Sequence, residues 1–560
     1  MNKRWLVKQT ISDTNKPISI ESIMTMLLEN RSIGTSDEKD MFLSPPLPLA
    51  FTAEHLGIDT KELETSIHRI EQAIRNKESI IVYADYDADG ITAGAVMWES
   101  IHQLGGKVMP YIPHRVEEGY GLSTIGIDAV KKEYDATLII TVDHGITGWE
   151  KVEYAKKKGI DVIVTDHHTK QEILPAVPIV HTTATSGAGV SWFVAKELLS
   201  RSQIERKEEY LLDLLGLATM GIIADLLPLT HINRSLVYHG LLALSKTQRP
   251  GIKALIKDSG IIDPLLSVYH VSHILAPRLN AMGRLEHALD ALRLLCTKDS
   301  EKAELLARRL TEVNKERQQL TMDTALHAMD AVRKDSLNES KKILILADEM
   351  YNPGIIGLAA GRLVEEFYLP SIVLSRGETI SKASARSIPG FNIVEALREA
   401  KEFLLEVGGH PMAAGFSIET ARIPAFQEFL EGYALAKITD DLCVRSLTID
   451  IELPLSVLSS RLSSTLLSLA PFGMGNPTPV FASREAKLFD ARTVGANGKH
   501  LKLKVVPKEG GYPLEAIGFN MGDQLPEIEA KGILDVAYTL EENEWNGKKT
   551  LQLKVKDIAI

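Results

Sequence analysis

Apolar positions in the first half of the chain come in short unbroken runs that end on acids. "ESIIVYADYDADG" (78–90) closes on Asp85, Asp87 and Asp89 before Gly90. "ATLIITVDHG" (136–145) closes on Asp143 and Gly145, and "GIDVIVTDHH" (159–168) on Asp166, His167 and His168. Runs of this length bounded by helical segments predict buried parallel strands in β-α-β units, and ligands of such sheets collect at the carboxyl ends of the strands. After Gly90, "ITAGAVMWESIHQLGG" has small and apolar residues at helical spacing and then a glycine pair, so the unit reads strand, acidic turn, helix. A fourth acid, Asp225, lies in "MGIIADLLPL" behind an apolar helix-like stretch and is a candidate to reach the same edge.

The pattern changes further on. A helical segment over roughly 299–333 leads to "KKILILADEM", a buried strand that opens a second lobe near 341, and to the amphipathic helix "IIGLAAGRLVEEF". From about 443 the runs alternate as short strands: "HLKLKVV", "PLEAIGF", "ILDVAYTLE" and "LQLKVKDI", with turn signals between them. Lys502 and Lys504 share one face of the first, Lys554 and Lys556 one face of the last. That suits a small β-barrel of the OB kind, whose basic groove tracks single strands, with Trp545 a candidate base-stacking residue.

Composition narrows the function. At 560 residues the chain has room for several domains, and its 44% apolar and 24% charged content is that of a folded soluble protein. Two cysteines, Cys296 and Cys443, are too few for a disulfide framework or a thiolate metal site, which fits a reducing cytoplasm. The start lacks a signal-peptide core, and Asp225 interrupts the most apolar helical stretch, so no membrane span is expected. A net charge of −11 disfavours coating nucleic acid with the whole surface and calls for a local basic groove.

Three carboxylates at alternate positions repel one another unless something holds them. An EF-hand loop also begins D-x-D-x-D-G, but its twelfth position, which must be Glu, is Val96, and a strand rather than a helix precedes it. Clustered carboxylates and imidazoles without cysteine suit Mn²⁺ or Mg²⁺, and two such ions would neutralise the acids and serve phosphoryl chemistry. In "APRLNAMGRL" (276–285), Arg278 and Arg284 bracket Asn280 in what reads as a Pro- and Gly-marked loop, with guanidinium forks suited to phosphate. Arg115, after the strand-like "KVMPYI", is placed to flank the metal edge. In the second lobe "SARS" offers Ser384 and Arg386, and "GGH" offers two glycines for close backbone approach followed by His410.

The motifs "DYDADG", "VDHG", "DHH" and the later Asp225 resemble the DHH phosphoesterase superfamily. "YIPHRVEEGYGLS", "APRLNAMGRL", "SARSIPGFNI", "GGHPMAAGF" and "PFGMGNPTPVF" extend that resemblance over nearly the whole chain to its RecJ branch of single-strand exonucleases. The resemblance implies an α/β fold: a parallel-sheet DHH lobe and a smaller α/β DHHA1 lobe joined by a long helix, with a C-terminal OB-like β-barrel. The implied boundaries are an N-terminal segment, 1–75, packing on the catalytic lobe, a DHH domain over 76–235, and a helical connector over 236–335. A DHHA1 domain over 336–440 and an OB domain over 441–560 follow. It further implies a two-metal 5′-3′ exonuclease of single-stranded DNA in repair and recombination, releasing 5′ mononucleotides. The implied ligands are Asp87, Asp89, Asp143, His167 and Asp225, with Asp85 and His168 ligating or orienting. Arg115, Arg278, Asn280, Arg284, Ser384, Arg386 and His410 would bind the strand, in a cleft between the lobes too narrow for a duplex. A cytoplasmic monomer working beside a single-strand-binding protein and a helicase is the expected setting. The alternatives are a phosphodiesterase for short oligonucleotides or cyclic dinucleotides and a non-catalytic single-strand-binding scaffold of the same fold. Among departures from the RecJ pattern, Tyr351 and Asn352 stand where Trp-His is common, and His144, where Asn or Cys is frequent, is a possible extra ligand.

Overall fold

The strands "SIIVYA", "LIITV" and "DVIVTD" are rich in β-branched residues, which favour extended backbone because their χ1 freedom is already restricted. In the computed structural model they form the centre of a parallel sheet in the order Lys107–Tyr111, Ser79–Ala84, Leu138–Val142, Asp161–Asp166, Ile179–His181. The structure describes residues 3–11, 18–115, 117–334, 341–545 and 548–560, without the side chains of Glu544, Trp545 and Lys548, so the stacking role considered for Trp545 lies outside the described residues.

Alternate residues of these strands enter two different cores. Ile80, Val82, Ile140 and Val142 pack with the helices Ala88–Gln103, Gly187–Ser200 and Lys207–Ala224. Ile81, Tyr83, Ile139 and Val164 pack with Thr124–Tyr134 and Trp149–Lys157. Both sheet faces are therefore covered, which is why the runs read as continuously apolar rather than alternating. The order of strands reverses beside Ser79–Ala84, so the crevice for a ligand opens where this strand and Leu138–Val142 end. Those are the ends that carry Asp85, Asp87 and Asp143.

Residues 40–318 and 471–477 make up this catalytic unit, and the remainder makes up a second. In the second unit a five-stranded sheet runs Leu404–His410, Ala413–Glu419, Ile380–Arg386, Ser371–Ser375, Leu344–Asp348, with only the last two strands parallel to each other. A closed five-stranded barrel follows: Phe481–Val494, His500–Val506, Leu514–Gly518, Lys548–Ala559 and Ile533–Trp545, the last pairing back onto the first. Between the two units in sequence runs one helix, Ser300–Lys334.

Two expectations differ from the structure. Residues 1–75 do not all pack on the catalytic lobe, because Arg4–Thr10 pairs in parallel with Ser446–Glu452 beside the barrel. Trp5 Nε1 donates to Asp557 Oδ2 at 2.7 Å there, a partner more than five hundred residues away that no local pattern reveals. Secondly, 276–285 is not a loop but a helix, Ala276–Leu285. It continues directly from the π-helical stretch His270–Leu275, so Pro277 lies inside a longer helix rather than opening a loop, and Gly283 allows close packing rather than ending the helix.

A candidate metal centre

Asp85 follows the strand Ser79–Ala84 directly and is 2% exposed. Asp87 caps the helix Ala88–Gln103, its Oδ1 accepting from Asp89 N at 2.9 Å and Gly90 N at 3.0 Å. Asp89, in the first turn, is gripped from across the fold by the start of Gly187–Ser200. Its Oδ1 accepts from Ser186 Oγ at 2.7 Å and Ala188 N at 3.0 Å, and its Oδ2 from Gly187 N at 2.8 Å. A helix N-terminus favours an anion, so this carboxylate is both oriented and stabilised. Gly187 is needed for a second reason: a β-carbon there would lie 2.5 Å from Asp143 Cβ and Oδ1. Asp143 itself takes a left-handed backbone, φ 67°, at the end of its strand, a local strain of the kind that collects at functional sites.

His167 Nε2 is the hub. It lies 3.1 Å from Asp143 Oδ1, 3.6 Å from Asp225 Oδ2 and 3.8 Å from Asp89 Oδ2. Three overlapping groups of donor atoms each fall within 4.8 Å: Asp89, His167 and Asp225; Asp143, His167 and His168; Asp85, Asp87 and Asp143. Asp143 belongs to two of them and so stands between two possible cation positions. All seven residues expected at the metal edge are brought together here.

Electrostatics show what the cluster lacks. Burial, and then the neighbouring Asp87, raises the Asp85 carboxyl well above the usual range. Burial with Asp89 raises Asp87 and, more strongly, Asp143, which it lifts well above that range. Burial, Asp89 and Asp87 push Asp225 up to about 8, although a third of its side chain is exposed. Asp85 Oδ1 and Asp143 Oδ1 are buried without a hydrogen-bond partner, the latter despite His167 Nε2 nearby, since the two are not aligned for a bond. Buried acceptors in this state are costly unless a cation completes them. Carboxylate oxygens with one or two imidazoles fit Mn²⁺ or Mg²⁺.

Asp166 has a different part. Burial would raise it, but hydrogen bonds from the His168 ring and from the Ile146 and His168 backbones hold it down to about 2. Its Oδ1 takes His168 Nδ1 at 2.7 Å and its Oδ2 takes Ile146 N at 2.9 Å, so it orients His168 rather than facing a cation. His168 Nε2 then lies 3.2 Å from Tyr120 Oη, which donates to Asp143 O at 3.0 Å. Sequence reasoning overlooked Asp166, Tyr120 and Ser186 as supports; the first was legible as the D of the motif, the others carry no local signal. His144, considered as an extra ligand, is turned away: its Nε2 lies 2.9 Å from Tyr83 O, and burial lowers it to about 4.

The residues expected to bind the strand are placed as follows. The Arg115 guanidinium sits 4.9 Å above the Tyr86 ring, and its charge lowers Asp85. Arg284 lowers Asp87 in the same way. Asn280 Oδ1 accepts from Ala88 N at 2.8 Å, bracing the acidic turn from behind. Arg278 is tied to protein groups, donating to Ile274 O at 2.6 Å and Thr311 Oγ1 at 3.1 Å. In the other unit Arg386 Nη1 donates to Ser384 Oγ at 3.2 Å on the strand Ile380–Arg386, and His410 ends the exposed strand Leu404–His410.

Family models match three stretches: the DHH family N-terminal domain over 79–222, the DHHA1 domain over 340–435 and the RecJ OB domain over 449–557. The single-stranded-DNA-specific exonuclease RecJ of Bacillus subtilis is 35% identical over 573 residues, covering 100% of this chain and 71% of its own. The chain belongs to the RecJ family. Its counterpart from Thermus thermophilus is 34% identical, covering 92% of this chain and 72% of its own length. A crystal structure of Thermus thermophilus RecJ in complex with Mn²⁺ superposes with a TM-score of 0.82 at 30% identity, covering 100% of this chain and 79% of that one. The Mg²⁺ complex from the same organism gives 0.77 at 29% identity, covering 99% of this chain and 78% of that one.

Proposed function

We propose that this chain is a metal-dependent exonuclease that removes mononucleotides from the 5′ end of single-stranded DNA. The observation that carries it is the cluster around His167 Nε2, whose buried carboxylates have unsatisfied oxygens, in a chain of the RecJ family. Asp87, Asp89, Asp143, His167 and Asp225 would hold Mn²⁺ or Mg²⁺, with Asp85 and His168 completing or orienting the set. Two such ions, when bound, supply an activated water and charge stabilisation on the phosphoryl oxygens.

The protein's own groups do the rest. The start of Gly187–Ser200 fixes Asp89, and Asn280 fixes the backbone of the turn. Ionised Asp166 keeps the shared proton on His168 Nδ1, so the ring presents Nε2 to the site. Arg115 and Arg284 place positive charge beside Asp85 and Asp87, where a phosphate must approach. Ser384, Arg386 and His410 are the second lobe's candidates for the strand's phosphates. On the barrel, Phe489 and Phe519 are exposed, and Lys554 stands 5.8 Å over the Phe519 ring, a surface suited to stacked bases. None of the described helices is long and apolar enough to cross a membrane. A monomer in the cytoplasm, beside a single-strand-binding protein and a helicase, is the setting this reading implies.

The test is hydrolysis of a long 5′-phosphorylated strand with Mn²⁺, beside its duplex, a dinucleotide and the Asp143→Ala protein. Early release of 5′ mononucleotides from the single strand, lost in the variant, is expected. Normal cleavage by Asp143→Ala would sink the metal mechanism, and faster turnover of the dinucleotide would make the chain a short-oligonucleotide phosphodiesterase.

A further inference from the structure

Asp225 is flanked in sequence by the walls of an apolar pocket. Ile223 and Leu226 line a cavity of about 340 Å³ together with Leu229, Val268, Tyr269, His273 and residues 472–474, a volume within the range of small-ligand sites. Three of its side chains face solvent at a cost: Leu226 is 60% exposed, Tyr269 62% and Met474 54%. Leu226 also adopts φ 58°, where a residue with a β-carbon is disfavoured by about 1–2 kcal/mol and where glycine usually ends a helix. Packing explains neither its exposure nor its strain.

A second wall is aromatic. The Tyr269 and His273 rings stack with centroids 4.8 Å apart and planes at 18°. Tyr269 immediately precedes, and His273 lies within, a stretch of π-helix, His270–Leu275, an irregularity frequent at functional sites. The third wall is held in place: Leu229 N donates to Met474 O at 2.7 Å, and buried Asn476 donates from Nδ2 to Pro471 O at 2.9 Å. Ser272 Oγ lies 2.6 Å from His273 Nδ1 beside it. The pocket thus presents a π-face and mainly apolar walls.

We infer that this pocket is a nucleobase subsite: it receives, by stacking, the base of a nucleotide adjoining the phosphate at the metal centre. The inference rests on the nuclease reading above and adds where the base goes. A ligand of this class follows from two features together: walls formed by Ile223 and Leu226 on either side of Asp225 in the chain, and a stacked aromatic pair. An enzyme that must pass every base in turn needs a sequence-tolerant hold of this kind.

The test is a binding cycle on the full chain in EDTA, where no strand is cut, with fluorescent single strands carrying one abasic site at successive positions from the 5′ end. Tyr269→Ala and Met474→Ala each remove one wall; Tyr269→Trp keeps the stack. Tyr269→Ala is expected to weaken binding of the intact strand by about 5- to 150-fold, the range for one stacked base. An abasic site at one position should weaken wild-type binding similarly and add no further loss in Tyr269→Ala, while Tyr269→Trp binds as wild type. With Mn²⁺, Tyr269→Ala should raise KM with kcat little changed. Unaltered thermal unfolding of the variants accompanies this result. Wild-type binding by both Tyr269→Ala and Met474→Ala, or losses that multiply at every abasic position, would overturn the subsite. A wild-type chain that binds strands but fails to cut them with Mn²⁺ would instead overturn the nuclease reading, and the abasic cycle would still decide the subsite.

Discussion

Gly283→Ala tests whether the acidic turn is positioned by the helix behind it. A β-carbon at Gly283 would lie 2.3 Å from Tyr86 O, between Asp85 and Asp87 in the chain, where ordinary contact begins at 3.4 Å. Helix and turn must therefore separate by about 1 Å, an overpacking that costs about 1–3 kcal/mol. Alanine regains about 1 kcal/mol of helix propensity, and loss of the Asn280 Oδ1 bond to Ala88 N removes about 1 kcal/mol. The net loss of about 1–3 kcal/mol lowers Tm by only a few degrees in a unit of this size. Rate responds more steeply, since a displacement of about 1 Å among reacting groups costs about 100-fold. Steady-state hydrolysis of a single strand, with a thermal melt alongside, should show kcat down about 100-fold in a protein that is still folded. Gly361→Ala is the control: nothing lies within 4 Å of its β-carbon in the helix Ile356–Phe367, so kcat should hold and stability rise by up to about 1 kcal/mol. Wild-type kcat in Gly283→Ala would refute the claim that this contact places the carboxylates.

Further outcomes follow from charge. In EDTA, folded Asp225 stays protonated up to about 8 while the unfolded chain releases that proton near 4, so this group makes the metal-free protein less stable as pH rises between those values. Melts should show a shallower decline in Asp225→Asn and a flatter one with Mn²⁺; parallel curves for wild type and variant would count against the buried cluster. Arg249 is bidentate on buried Glu99 at 2.7 and 2.8 Å and also meets Asp213 at 2.7 Å. Arg249→Ala strands those charges and should cost about 3–5 kcal/mol in urea unfolding, a loss under about 1 kcal/mol showing that the pair is not buried as described. On the barrel, Glu515 draws Lys502 to 2.9 Å and Lys504 to 3.8 Å. Glu515→Gln should tighten single-strand binding and steepen its salt dependence by up to about one counterion; an unchanged slope would take this lysine face out of the strand's path.

What the sequence determined by itself is local in origin. β-Branched runs prefer extended backbone, and an acid after such a run followed by Gly90 or Gly145 marks a strand end and turn, so Asp85, Asp87, Asp89, Asp143 and His167 could be placed on one sheet edge from spacing alone. Four of the five barrel strands were legible through alternation, whereas Phe481–Val494 was not read as one. Only the tertiary structure decided what each acid faces. It separates Asp166, saturated by His168 and Ile146, from Asp143, whose Oδ1 is left without a partner. It turns His144 onto Tyr83 O, brings Ser186 and Gly187 onto Asp89, and pairs Arg4–Thr10 with Ser446–Glu452. It makes 276–285 a helix that continues the π-helical stretch His270–Leu275, and it sets Gly283 where a neighbouring carbonyl leaves no room. Periodicity records which side of an element is buried, whereas hydrogen-bond partners and close approaches depend on residues far away in the chain.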